Sequence, residues 1–124
     1  MFEIEQEFHF EAGHTLQHHL GRCHQPHGHS YVLVVKIRSD VLIASGSQKN
    51  MITDFYEIER IVLPMIEQYL DHRWLNDSLK TDSPTVEFIT KWIFDFLEPH
   101  LPGLYAITLH ETRSSRGTYY KNID

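Results

Sequence analysis

The sequence holds a single cysteine, Cys23, in 124 residues. No internal disulfide can form, which fits a reducing compartment and leads us to expect a cytoplasmic protein. No apolar run approaches the ~18 residues that a membrane-spanning helix needs. The opening residues, Met1-Phe2-Glu3-Ile4-Glu5, lack both the basic and the apolar segment of a signal peptide. Lysines and arginines form no cluster, and the formal net charge is −6 with histidines neutral. A nucleic acid or an anionic membrane surface is therefore not an expected partner. An anionic small molecule would need a local positive site, such as a metal. Internal repeats and linker-like stretches are also missing, so one domain over 1–124 is expected at this length.

Histidine, in contrast, is abundant. Ten are present, and seven of them fall between His9 and His29. The densest stretch is Cys23-His24-Gln25-Pro26-His27-Gly28-His29-Ser30-Tyr31, which runs into an apolar segment. His27 and His29 are two apart, so an extended chain projects both to one face. Two imidazoles on one face make a natural start for a zinc site, and His14, at the end of Phe8-His9-Phe10-Glu11-Ala12-Gly13, is the best third ligand. Three protein ligands leave a position open on tetrahedral zinc, the catalytic pattern. Two other readings stand beside it. Cys23 could close the site as a fourth, structural ligand, and a histidine-rich tract can be a solvated loop with adventitious metal affinity. We rank the open three-histidine site first.

Residues 2–10 alternate, with Phe2, Ile4, Phe8 and Phe10 on one side and Glu3, Glu5, Glu7 and His9 on the other, which predicts a half-buried strand. Residues 11–28 contain Gly13, Gly21, Pro26 and Gly28 and read as a loop carrying the histidines. A second strand is expected over 29–38, and Val32 and Val34 make its second face apolar too, which points to burial against something beyond the chain's own helices. Residues 39–50 read as a polar turn region. Asp54 caps a helix whose stripe is Ile58, Ile61, Val62, Met65, Ile66, Tyr69 and Leu70, with a kink at Pro64. Ser83-Pro84 opens a second helix, with Ser83 as its cap and the stripe Val86, Ile89, Ile93, Phe96 and Leu97. Strands over 104–112 and 117–123 close the chain around a turn at 114–117. The predicted fold is α+β: a four-stranded antiparallel sheet with two helices on one face, in the order strand-strand-helix-helix-strand-strand.

Two more features carry chemistry. Asp71-His72 is a pair in which a carboxylate can orient an imidazole as a general acid/base. Glu111 shares a strand face with Ile107 and Leu109, where a carboxylate is either paired or functional. A change of register at the strand end is the equal alternative.

Together, Phe10-Glu11-Ala12-Gly13-His14, Cys23-x3-His27-Gly28-His29, Asp54-Phe55, Leu70-Asp71-His72-Arg73-Trp74-Leu75-Asn76-Asp77, Pro84-Thr85-Val86-Glu87 and Glu111-Thr112 resemble the 6-pyruvoyl-tetrahydropterin synthase and 6-carboxytetrahydropterin synthase family. The resemblance implies the tunnelling fold, assembled as a homohexamer of two stacked trimers. It implies Zn²⁺ on His14, His27 and His29, Cys23 as proton-transferring thiolate with Asp71 and His72 completing its relay, and Glu111 anchoring a pterin with Thr85 and Glu87 as further contacts. The implied substrate is 7,8-dihydroneopterin triphosphate. Chain length, the lone cysteine and the Leu70–Asp77 motif look most like the bacterial 6-carboxytetrahydropterin synthases of the queuosine (7-deazaguanine) pathway, which release acetaldehyde. Pyruvoyl formation, and a non-catalytic zinc-binding protein on the same scaffold, are the alternatives.

Overall fold

The computed structural model describes residues 1–122. Ile123, the end of the last predicted strand, lies outside them. Two long strands, β1 (Phe2–His14) and β2 (His27–Ser39), pair antiparallel along their whole length, from Phe2 opposite Ser39 to His14 opposite His27. The predicted loop therefore starts later than expected: residues 11–14 are strand, because the ladder with β2 continues through Gly13. A Cβ on Gly13 would lie 3.1 Å from the Trp74 ring and 3.2 Å from the His27 carbonyl, so the strands approach closely there and a larger residue would press on both.

Helix α1 (Phe55–Met65) starts on Asp54, whose carboxylate accepts from the Tyr56 N–H at 3.0 Å, as expected. Pro64 does not end it; the chain passes into a widened π-type turn, Ile66–Leu70. A two-residue strand, β3 (Arg73–Trp74), then lies parallel to β1 at Ala12 and Gly13. It is followed by a short helix, α2 (Leu75–Ser78). The sheet thus has five strands, not four, in the order β3-β1-β2-β4-β5, with β4 at Leu104–His110 and β5 at Arg116–Tyr120. Two residues between a turn and a helix offer no period to read, which hid β3 in the sequence.

Helix α3 spans Val86–Leu97 and is capped by Thr85, whose hydroxyl accepts from Phe88 N–H at 3.1 Å. Ser83 is not the cap and Pro84 is not the first helical residue; both precede it. Between α3 and β4, Gly103 takes φ +83°, and a Cβ there would meet the Arg38 carbonyl at 2.7 Å, so no other residue fits without a shift.

One core joins Phe8, Phe10 and Ala12 of β1, Tyr31, Leu33, Val35 and Ile37 of β2, Ile58, Val62 and Met65 of α1, Ile89, Ile93 and Leu97 of α3, and Ile107 and Leu109 of β4. Both helices therefore cover one face of the sheet. On the other face Val34 is already 6 % exposed within one chain, between Glu7 and Thr108 across the ladders. Its apolar character does not by itself call for an outside partner; Val32 is half-buried.

Candidate metal centre and active site

The register that pairs β1 with β2 also builds the site. His14 stands opposite His27, and Ala12 opposite His29. Alternation sends all three imidazoles to the core face, one step beyond Ala12 and Tyr31. Their ring centroids are 4.5 Å (His14–His27), 5.1 Å (His14–His29) and 4.9 Å (His27–His29) apart. One donor atom from each falls within 4.8 Å of the others.

The surrounding backbone fixes the rings. His14 Nδ1 lies 2.9 Å from the Pro84 carbonyl, and His27 Nδ1 lies 2.7 Å from the Gln25 carbonyl. A carbonyl can only accept, so each Nδ1 carries its hydrogen and each Nε2 keeps a free lone pair. His14 and His29 are buried at Nε2 with no hydrogen-bond partner among the described residues. Burial lowers the pKa of both, and the neighbouring imidazole of His27 pushes the same way against a raising influence from Glu111; for His14 the Pro84 carbonyl also opposes the shift. Neutral imidazoles with orphaned, converging lone pairs fit a borderline metal ion such as zinc, and backbone carbonyls on the distal nitrogens are the usual support of such ligands.

Glu111 lies just past the end of β4, in the turn where its N–H donates to the Ser115 carbonyl at 3.0 Å. Its carboxylate still faces the triad, 3.9 Å from His14 Nε2 and 3.8 Å from His29 Nε2, beyond hydrogen-bond reach. The alternation continues past the ladder and delivers the carboxylate to the site. Tyr31, whose hydroxyl pKa is pushed up by burial and then by Glu111, stacks on Phe10 at 4.9 Å and closes the apolar wall behind His14.

Cys23 sits in a 3-10 turn, Arg22–His24, and lines a hollow with Arg22, His27, Gly28 and His29. Its sulfur is not among the clustered donor atoms. Asp71 ends the π-type turn and accepts from the Glu11 N–H at 2.9 Å. His72, held at φ 56°, donates its N–H to the Glu11 carbonyl, and its Nε2 lies 3.6 Å from Asp71 Oδ2. His72 lines a second hollow with Glu11, Gly28, His29 and Ser30. The two hollows meet at Gly28 and His29, and among the described residues no hydrogen bond or ion pair joins Cys23 to His72. Thr85 uses its hydroxyl as the α3 cap, and Glu87 is exposed on that helix's first turn.

The family model of 6-pyruvoyl tetrahydropterin synthase matches residues 3–122. The chain belongs to this family. It is 43 % identical over 121 residues, 97 % of this chain and 94 % of the other, to 6-carboxy-5,6,7,8-tetrahydropterin synthase of Synechocystis sp.. It is 30 % identical over 94 residues, 76 % of this chain and 73 % of the other, to dihydroneopterin monophosphate aldolase of Pyrococcus furiosus. The structure of Caenorhabditis elegans 6-pyruvoyl tetrahydropterin synthase superposes with a TM-score of 0.83 at 25 % identity, covering 98 % of this chain and 96 % of that one. The fold is the tunnelling fold of the family, and the protein is a lyase of the 6-pyruvoyl tetrahydropterin synthase type.

Several supporting residues were not singled out from the sequence. Buried Asn76 clamps the residue after His14, accepting from Thr15 N–H and donating to the Thr15 carbonyl, both at 2.9 Å. The carbonyls of Pro84 and Gln25 orient two of the three imidazoles. Asn76 lies in a motif noticed for Asp71 and His72, so a polar residue among Trp74 and Leu75 was the available signal; a backbone carbonyl leaves none.

Proposed function

We propose that the protein is a zinc-dependent 6-carboxy-5,6,7,8-tetrahydropterin synthase that acts on 7,8-dihydroneopterin triphosphate, with loss of triphosphate and release of acetaldehyde. The observation that carries this reading is the triad of His14, His27 and His29, in which the Nε2 atoms of His14 and His29 are buried beside Glu111 without a hydrogen-bond partner among the described residues. The 43 % identical relative of that name supports the choice of product. We also propose a cytoplasmic location, where the lone thiol stays reduced; no helix among the described residues is long and apolar enough to cross a membrane.

In this proposal His14, His27 and His29 hold the zinc ion. When bound, zinc supplies Lewis-acid polarisation of the substrate's side-chain hydroxyls. Glu111 accepts two parallel N–H bonds from the 2-amino-pyrimidinone edge of the pterin. Thr85 and Glu87 provide further pterin contacts from the start of α3. Cys23, from its own hollow, takes and returns the side-chain proton, and the Asp71–His72 pair relays it onward. Triphosphate leaves with the electrons of its C–O bond, and one water is consumed as the two-carbon fragment departs.

Cys23 and His72 line different hollows of one chain, so in this reading the relay closes in the homohexamer, with His72 of one protomer serving the cysteine of another. The outer edge of β1 is paired by β3 only at Ala12 and Gly13, and β5 is the other sheet edge. Long unpaired edges favour strand-to-strand assembly.

Incubating the zinc-loaded protein with 7,8-dihydroneopterin triphosphate and identifying the products tests the reading. A 6-carboxy pterin with acetaldehyde supports it. A 6-pyruvoyl pterin would move the protein to the pyruvoyl-forming branch, and zinc binding without turnover would make it a non-catalytic zinc protein. Glu111→Ala is expected to raise KM while zinc content stays at that of the unmodified protein.

A further inference from the structure

We propose that Arg22 binds the polyphosphate tail of the substrate and so supplies the affinity of this site for its anionic end. The proposal rests on the activity proposed above and adds the residue that recognises the anionic end.

The chain carries six arginines against a net charge of −6. Three are engaged within the fold. Arg38 donates to Glu3 at 2.6 Å, Arg60 to Glu57 at 2.9 Å, and Arg73 to the Glu67 carbonyl at 3.3 Å. Arg22, Arg113 and Arg116 make no side-chain hydrogen bond or ion pair among the described residues. Of these three, Arg22 lines the hollow that also exposes Cys23, His27 and His29. Among the described residues no carboxylate and no lysine lines that hollow, and Arg22 is its single fixed charge. The hollow beside His72 contains Arg73, but that guanidinium is turned to Glu67, and Glu11 shares the space with it.

The backbone under Arg22 is fixed although its side chain is free. The Arg22 carbonyl accepts from Gln25 N–H at 2.9 Å, and the Cys23 carbonyl accepts from Leu16 N–H at 2.8 Å. A guanidinium on a rigid turn, with its donors unspent, is suited to bidentate phosphate recognition. Substrate geometry points to the same hollow. In dihydroneopterin triphosphate a single carbon separates the side-chain hydroxyls from the phosphate ester, so a substrate whose hydroxyls lie at the triad keeps its phosphates beside it. With Glu111 against His14 and His29 receiving the N–H donors of the pterin, the unopposed cation beside Cys23 receives the anion.

The test compares the unmodified protein with Arg22→Gln, Arg22→Lys and Arg113→Gln, with Arg60→Gln as a surface control. Binding of inorganic tripolyphosphate is measured by calorimetry on zinc-loaded and metal-free protein, kcat/KM is measured for 7,8-dihydroneopterin triphosphate, and inhibition by unphosphorylated 7,8-dihydroneopterin reads binding of the pterin alone. Zinc content and melting temperature verify that each variant is intact. Arg22→Gln is expected to lose about tenfold or more in tripolyphosphate affinity, in both metal states, and a similar factor in kcat/KM for 7,8-dihydroneopterin triphosphate, with inhibition by 7,8-dihydroneopterin unchanged. Arg22→Lys should recover part of it, because charge remains but the fork is lost. The proposal is overturned if the unmodified protein does not bind tripolyphosphate, if Arg22→Gln binds it equally well, or if Arg113→Gln carries the loss instead. Turnover that survives Arg22→Gln unchanged refutes the role of Arg22 and leaves the activity standing. An inactive protein that still binds tripolyphosphate through Arg22 refutes the activity and leaves the anion site standing.

Discussion

The same face of the same two strands builds two different things. Toward one end, Phe8 and Phe10 of β1 and Leu33, Val35 and Ile37 of β2 pack against α1 and α3, and every group there is apolar and matched. Toward the other end the positions of identical parity hold His14, His27 and His29, whose Nε2 atoms include two that are buried with no partner. Only Ala12 and Tyr31 separate the regions along the strands. The core end buries apolar groups against one another, whereas the histidine end carries a desolvation cost that a bound metal ion would offset. Variants at the first should therefore move stability and those at the second should move metal and turnover, and each prediction below tests that division.

The largest effect is expected from His27→Ala, which leaves two ligands. Metal content by elemental analysis should fall to background, turnover should fall with it, and the metal-free melting temperature should stay close to that of the unmodified apo-protein. A zinc stoichiometry that survives would mean the triad is not the metal site.

Cys23→Ala should retain zinc and lower single-turnover rate by ~10²–10⁴, the contribution of a positioned proton carrier. Loss of zinc instead would revive the closed site with Cys23 as fourth ligand. Near-normal turnover would assign the proton to another group.

At the core end, Leu33→Ala, at a fully buried position between the helices and the sheet, should cost about 2–5 kcal/mol in chemical denaturation. Zinc stoichiometry of the folded fraction should be unchanged; a parallel loss of metal would mean that the two regions are one cooperative unit.

The smallest effect sharpens the boundary. Thr85→Ala removes the α3 cap and should cost about 0.5–2 kcal/mol of stability. Because Thr85 follows Pro84, whose carbonyl orients His14, a rise in KM beyond the stability loss would give Thr85 a role in pterin binding as well.

The three clustered histidines were legible from chemistry and spacing. The His27-x-His29 pair converges by strand alternation alone, and His14 ends an alternating run. Glu111 kept the parity of Ile107 and Leu109, and that parity outlasted the ladder. The Asp54 cap and both helix stripes follow from local patterns with a fixed period. What failed was everything decided by a distant partner. Gly13 looks like a loop residue until β2 and Trp74 are beside it. Ser83 looks like a cap until Thr85 takes the Phe88 N–H. β3 is two residues long and exists only because Ala12 and Gly13 supply a free edge.

The sequence by itself thus determined that His14, His27 and His29 lie on one face of their strands, because the strand period is a property of the local backbone. Tertiary structure alone decided that His14 meets His27, that the carbonyls of Pro84 and Gln25 fix their tautomers, and that Cys23 and His72 occupy adjoining but separate hollows. Those facts depend on ladder register and on contacts spanning up to 70 positions, as between His14 and Pro84, which no local period encodes.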